Sequence, residues 1–219
     1  MSDVNGRKPR RYRSPAREEG ARRTRRAITA AAGRLFVERG YVGTSLADIA
    51  IAAGVARPTV FAAFGSKPAL LREVLDQALA GDDAPVPVAQ RPWFEPVWDA
   101  ATQEAVLDAY ADVCVVIARR AARLFEAVRR GADDAPEVAD LWTTLQGNRR
   151  AGAAMVVQHV RTLGELAPGL DEEAAIDVLW VFNDPAHYAA LVLQRGWAEP
   201  VFRRWLAHRM REALLAAGR

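Results

Sequence analysis

Residues 40–71 read GYVGTSLADIAIAAGVARPTVFAAFGSKPALL. The stretch predicts two short helices on a tight turn, with a further helix opening at Ser66. Thr44 supplies the first helix-start signal, a hydroxyl residue just ahead of Leu46, Ile49 and Ala50, which recur at i, i+3 and i+4. Ala53-Gly54 marks the break, since glycine enters the positive φ of a sharp reversal without a Cβ clash. Val55 and Val60 give the second short helix, about Ala56 to Ala63, its apolar side. Two short helices at a steep angle through a Gly-containing turn are the signature of a helix-turn-helix. Helices this short bury little, so another must complete the core. The helix ending near Gly40 fits: Ile28, Ala31, Ala32, Leu35 and Phe36 make a matching stripe.

Composition divides the chain in two. Of 219 residues, 51% are hydrophobic and 26% charged, ordinary globular material with room for one small and one larger domain. The formal net charge is only +3. Residues 1–80 hold 15 Lys and Arg against 7 Asp and Glu, a balance of +8, so residues 81–219 carry −5. A basic front and an acidic back suit a DNA-facing head on a body that does not touch phosphates. Charge alone would equally describe a solvated basic surface; the helix-turn-helix inside the basic half decides between the two. The expected division is a disordered basic tail over 1–20, a DNA-binding domain over 21–80 and a helical body over 81–219.

Within this frame Ala31-Ala32, Leu35-Phe36, Arg39-Gly40-Tyr41, Thr44-Ser45, Ile49-Ala50, Ala53-Gly54-Val55, Thr59, Phe64, Ser66-Lys67 and Leu70 occur in order. In these elements the run resembles the TetR family of bacterial transcriptional regulators. The remainder of the chain matches loosely, as expected where the ligand-binding part diverges between members. The resemblance implies an all-α protein, with an N-terminal three-helix helix-turn-helix DNA-binding domain and a larger C-terminal helical domain for effector binding and dimerisation. It implies a homodimer on a pseudo-palindromic double-stranded operator, a small, largely apolar effector, and repression as the family's common habit. No cofactor is expected.

Other classes find little support. Cys114 is the one cysteine, so no internal disulfide forms and a reducing cytoplasm is the expected setting. The basic N-terminus lacks a following apolar region, so no leader peptide is expected, and no apolar run approaches a membrane span. His159, His187 and His208 are scattered and no metal-spaced His/Cys cluster exists; nor is there a phosphate-cradling glycine loop or a G-x-S-x-G elbow. The alternatives to an effector-responsive regulator are a constitutive DNA-binding regulator and an all-helical enzyme built on carboxylate pairs.

Candidate DNA contacts follow from charge and position. Arg22, Arg23, Arg25 and Arg26 lead into the first helix and suit phosphate or minor-groove contact, while Arg7, Lys8, Arg10, Arg11 and Arg13 serve equally as a solubilising tail. Thr44 and Ser45 stand at a helix N-terminus, where free N–H groups and the dipole favour an anion; capping is the other use of those hydroxyls. Lys67, by resemblance, contacts the phosphate backbone, with Pro68 tolerated in that first turn. The expected recognition helix offers Arg57, Pro58, Thr59 and Phe61, of which only Arg57 and Thr59 are polar. Family members typically carry Tyr where Phe61 stands; Phe61 has no hydroxyl for phosphate, but its ring can press on sugar or a thymine methyl. Arg57 suits a guanine edge or a phosphate. Base readout is therefore expected to be thin, with preference leaning on DNA shape and the basic arm.

The body reads as helical throughout. Expected helices are Gln103 to Arg120, a shorter continuation to Gly131, Pro136 to Leu163, one opened by Asp171-Glu172-Glu173, a short one from Pro185 to about Gly196, and Pro200 to Ala217. Pro85, Pro87, Pro92 and Pro96 leave no regular helix over 81–97. Tyr110, Cys114, Phe125, Trp142, Met155 and His159 are candidate pocket residues, or plain core. Leu179, Trp180, Leu191, Trp205 and Leu206 are expected on the dimer face. Two heads must reach successive major grooves, about 34–36 Å apart, which makes a two-fold dimer a geometric requirement.

Overall fold

The computed structural model describes residues 15–216, and every regular element among them is helical. The head comprises α1 (Pro15–Arg39), α2 (Leu46–Ala53), α3 (Arg57–Phe64) and α4 (Lys67–Ala80). After a 3₁₀ turn at Val88–Gln90 the body adds α5 (Glu95–Trp98), α6 (Gln103–Asp134), α7 (Pro136–Leu163), α8 (Glu172–Phe182), α9 (Pro185–Tyr188) and α10 (Glu199–Leu214).

The head forms as its signals dictate. Ser45 caps α2: its hydroxyl accepts from the Asp48 N–H while the Asp48 carboxylate accepts from the Ser45 N–H, a reciprocal capping box. Gly54 ends α2 with φ of 67°, the left-handed conformation that the turn requires. The chain then reverses through 107° into α3, within the range of a helix-turn-helix. Ile28, Ala32, Leu35 and Phe36 of α1 bury against Ile49, Val60, Leu70, Leu71 and Leu75. α1 begins at Pro15, with proline at the first helical position, so residues 15–20 of the expected tail are helical. Arg7 to Arg13 lie outside the described residues.

The body differs from expectation in one main respect. The two helices expected between residues 103 and 131 are one helix, α6, of 32 residues and about 48 Å. Nothing breaks it: the Arg119-Arg120-Ala121-Ala122-Arg123 stretch where the two apolar stripes meet is made of strong helix formers. Its first stripe, Val106, Leu107, Tyr110, Ala111 and Val113, lies in the body core with Val156, Val160, Leu179, Leu206 and Met210. Its second stripe, Ala121, Leu124, Phe125 and Val128, lies in the head core together with Val138, Leu141 and Leu145 of α7. The chain leaves the head at Gly81, but the head's packing continues into α6 and α7. Gly131 marks the closest approach, since a Cβ there would stand 3.1 Å from the Tyr41 Cβ. Asp108 and Asp112, one turn apart on α6, accept from Arg211 and Arg203 of α10 at 2.8 Å and fix those two helices in register.

Phe36 is fully buried at the centre of the head and stacks on Tyr41 at 6.0 Å between ring centroids. Phe36→Ala is expected to cost about 3–5 kcal/mol, read as a loss of unfolding free energy in urea titrations followed by circular dichroism.

Candidate functional site

α3 exposes the face that a duplex would meet. Arg57, Pro58, Thr59, Phe61 and Ala62 are all exposed, while Val60 alone turns fully inward. Pro58 sits in the first turn of α3, where its missing N–H costs nothing. The Phe61 ring is 63% exposed, and Ile51 on α2 is 81% exposed. Ile51 escaped the sequence reading because a lone apolar residue between two buried turns reads as core. Ser45 keeps its hydroxyl exposed at the α2 N-terminus, although the capping box already engages it.

Several expected DNA contacts are engaged inside the head. Thr44 is 1% exposed; its hydroxyl donates to the Gly40 carbonyl at 2.8 Å and lies 3.2 Å from that of Leu35. It therefore closes the α1–α2 loop and is withdrawn from phosphate. Ser45, one residue on, is the N-cap. The Lys67 ammonium donates to the Tyr41 and Thr44 carbonyls at 2.8 and 2.9 Å and sits 3.9 Å over the Tyr41 ring. Burial lowers its pKa, with Glu137 opposing. Two of its three donors fasten that loop to α4, which leaves one for an outside partner.

The four arginines at the start of α1 also divide. Arg25 donates to the Ala63 carbonyl at 2.6 Å, stacks over Phe64 at 4.3 Å and pairs with Glu73 at 3.4 Å, so it braces α3 against α1 and α4. Arg26 makes a two-point pair with Asp83 at 3.0 and 3.1 Å. Arg22 pairs only with exposed Glu19, and Arg23 is exposed with no partner among the described residues. Among the expected contacts, Arg22, Arg23 and Arg57 are thus the cations left open.

A second concavity lies behind the head. A cavity of about 760 Å³ opens between α4, residues 82–89, α6 and α7. Its size falls within the usual range for small-molecule sites. Tyr110, Cys114, Phe125 and Met155 line it as expected, joined by Phe94, Val113 and Ile117. Trp142 and His159 do not. Trp142 sits farther toward the head and packs edge-on against Phe125 at 6.2 Å. His159 meets Trp98 of α5 edge-on at 5.6 Å, one turn beyond Met155. Burial pushes the Cys114 thiol up to about 12, so it is an inert wall atom.

The polar side of this wall was not legible beforehand. Arg149 is largely buried, which lowers its pKa; it pairs with Asp184 at 3.1 Å and donates to the Asn183 Oδ1 and the Trp180 carbonyl at 3.1 and 2.7 Å. Asn183 in turn donates to the Tyr110 hydroxyl at 3.0 Å. The proline-rich segment at the mouth owes its shape to Arg91, 5% exposed, which donates to Asp82 at 2.7 Å and to the Ala84 and Val86 carbonyls at 2.8 and 3.0 Å. A single buried guanidinium thus supplies the order that the prolines deny to a helix.

The expected dimer face also needs revision. Leu179 and Leu206 are 0% and 1% exposed within one chain, because they point into the body core. Trp180, Leu191 and Trp205 are half-buried. The apolar residues left open on the packed pair α8 and α10 are Val181 and Val201.

Comparison with known proteins agrees with this geometry. Residues 28–74 match the family described as bacterial regulatory proteins, tetR family. No curated protein matches the chain. Among solved structures, NalD, the secondary repressor of the MexAB-OprM multidrug efflux pump in Pseudomonas aeruginosa, is similar with a TM-score of 0.66 at 22% identity, over 89% of this chain and 98% of that one. FadR from Bacillus subtilis, in complex with stearoyl-CoA, gives 0.68 at 17% identity, over 84% and 96%. A Saccharomonospora viridis protein in complex with choline gives 0.65 at 20%, over 87% and 96%. At these identities the structural likeness speaks for the fold, and the family match speaks for the head. Residues 28–74 are thus similar to the TetR-family DNA-binding head, and the described residues have an all-helical fold like that of TetR-family regulators.

Proposed function

We propose that this chain is a ligand-responsive transcriptional regulator that binds a pseudo-palindromic operator as a homodimer in the cytoplasm, and that a small effector, largely apolar in its bulk, releases it, so that it acts as a repressor. The observation that carries the proposal is the double use of α4. The helix packs into the head through Leu70, Leu71, Val74 and Leu75, and its opposite face forms a wall of the cavity through Glu73, Asp76, Gln77 and Ala80. An object in the cavity therefore presses on the helix that carries the DNA-reading unit.

A second connection runs through the mouth of the cavity. Asp83 lines it and holds Arg26 on α1, so movement of residues 82–89 pulls on the first helix of the head. A ligand that fits better when the heads stand wider apart shifts the population away from the DNA-competent spacing. Transcriptional regulators of similar fold in complex with stearoyl-CoA and with choline support the binding of a small molecule. Val181 and Val201, with half-buried Trp180 and Trp205 beside them, are proposed as the dimer face.

Two outcomes follow. In anisotropy titrations on duplexes chosen by binding-site selection, log K falls linearly with log salt, and Arg23→Ala and Arg57→Ala each flatten that slope by about 1.8, one contact being lost from each head of the dimer. If Arg57 reads a guanine, Arg57→Ala also relaxes preference at that base pair, by about 1–3 kcal/mol. The double variant Val181→Glu, Val201→Glu sediments as a monomer and loses about 10²-fold or more in operator affinity, because the second head no longer benefits from a tethered first.

A further inference from the structure

All but one of the charged groups on the cavity wall are acidic. Glu73, Asp76, Asp82 and Asp83 line it, and Arg149 is the one cation among the described lining residues. That cation is committed to Asp184, Asn183 and the Trp180 carbonyl. An anionic ligand would therefore meet four carboxylates and no uncommitted guanidinium.

The four carboxylates are not equivalent. Asp82 is held by Arg91 and Asp83 by Arg26. Glu73 pairs with Arg25 and accepts from the Gln77 amide at 2.9 Å. Asp76 has no hydrogen-bond or ion-pair partner among the described residues. Burial raises its pKa, with the charge of Arg72 opposing. Asp76 is nevertheless exposed, so its carboxylate is open to a positive partner at the edge of the cavity that it lines.

A separate polar group stands deeper in the cavity. Tyr110 is 5% exposed, and its hydroxyl accepts from Asn183 while its own proton has no acceptor among the described residues. An unspent donor that is nine-tenths buried and on the wall of a cavity invites an acceptor atom from a guest. The cavity wall also carries the apolar side chains of Phe94, Val113, Ile117 and Met155.

Building on the effector role proposed above, we infer that the cavity takes an amphipathic organic cation. Its ammonium pairs with Asp76 at the mouth, its apolar chain lies along Phe94, Val113, Ile117 and Met155, and an acceptor atom at its far end receives the Tyr110 hydroxyl proton. Neutral guests of the same shape lose the ion pair, and carboxylates are repelled.

Isothermal titration of the full chain with decylammonium, decan-1-ol, decanoate and 10-aminodecan-1-ol, all below micelle formation, tests the assignment. Decylammonium is expected to bind about ten-fold tighter than decanol or better, with decanoate weakest. Asp76→Asn is expected to bring decylammonium to the level of decanol and to leave decanol unchanged. Tyr110→Phe is expected to remove the advantage of 10-aminodecan-1-ol over decylammonium. Equal binding of the amine and the alcohol, tightest binding of decanoate, or a charge preference that survives Asp76→Asn would overturn the cationic assignment while the cavity kept its effector role. Heats absent for all four probes would remove the effector role itself. The comparison among probes on the unaltered chain stands even where a variant folds poorly.

Discussion

The structure depends on α6 belonging to two cores at once. Ala118 and Ala122 pack in the body, while Ala121 and Leu124 pack in the head, so the change of allegiance takes less than two turns of one helix. A close-packed interior does not absorb a displacement locally. A shift of α6 at its body end must therefore reappear beneath the head. The approach of Gly131 to Tyr41 tightens this link, and the Tyr41 hydroxyl completes it by donating to Glu137 of α7 at 3.0 Å. Tyr41 also accepts Lys67 through its carbonyl and carries the ammonium over its ring, so one loop residue ties α4, α6 and α7 together.

Around this hydrophobic continuity lies a set of arginines whose work is internal. Arg25 braces α3, Arg26 clasps the segment after α4, Arg91 folds that segment and Arg149 closes the inner wall. Arg91 and Arg149 are buried with their donors engaged, the condition under which a buried guanidinium is tolerable. The positive charge of the front half thus overstates the number of groups free to meet phosphate. The clasp between Arg26 and Asp83 is exposed and worth little as stability. Its importance lies in where it is attached, with one end on the cavity mouth and the other on the head.

The parts legible in the sequence were those set by local rules. The stripe from Ile28 to Phe36, the turn at Gly54 and the cap at Ser66 each follow from a few neighbouring residues, and each stands where expected. Tyr110, Cys114, Phe125 and Met155 line the cavity because α6 and α7 present them at helical spacing. Roles that depend on tertiary partners were not legible. Thr44 and Ser45 look alike in sequence, and only the position of the Leu35 and Gly40 carbonyls sends one inward and leaves the other as cap. Leu179 and Val181 are two residues apart on α8, and the choice of core against surface turned on the rotation of that helix. Asp76 and Gln77 come to line the cavity only through α6 and α7, whose facing residues lie more than thirty positions away in the chain.

Movement of the heads on filling of the cavity is read from the distance between them. Cys114→Ser removes the one native thiol, and Ala62→Cys places a spin label on the exposed side of α3. Pulsed electron resonance on the dimer should give a narrow distribution on operator DNA, with heads matched to grooves about 34–36 Å apart. Saturating decylammonium without DNA should move that distribution to longer distance. A distribution that stays the same with the cavity empty and filled would contradict the account.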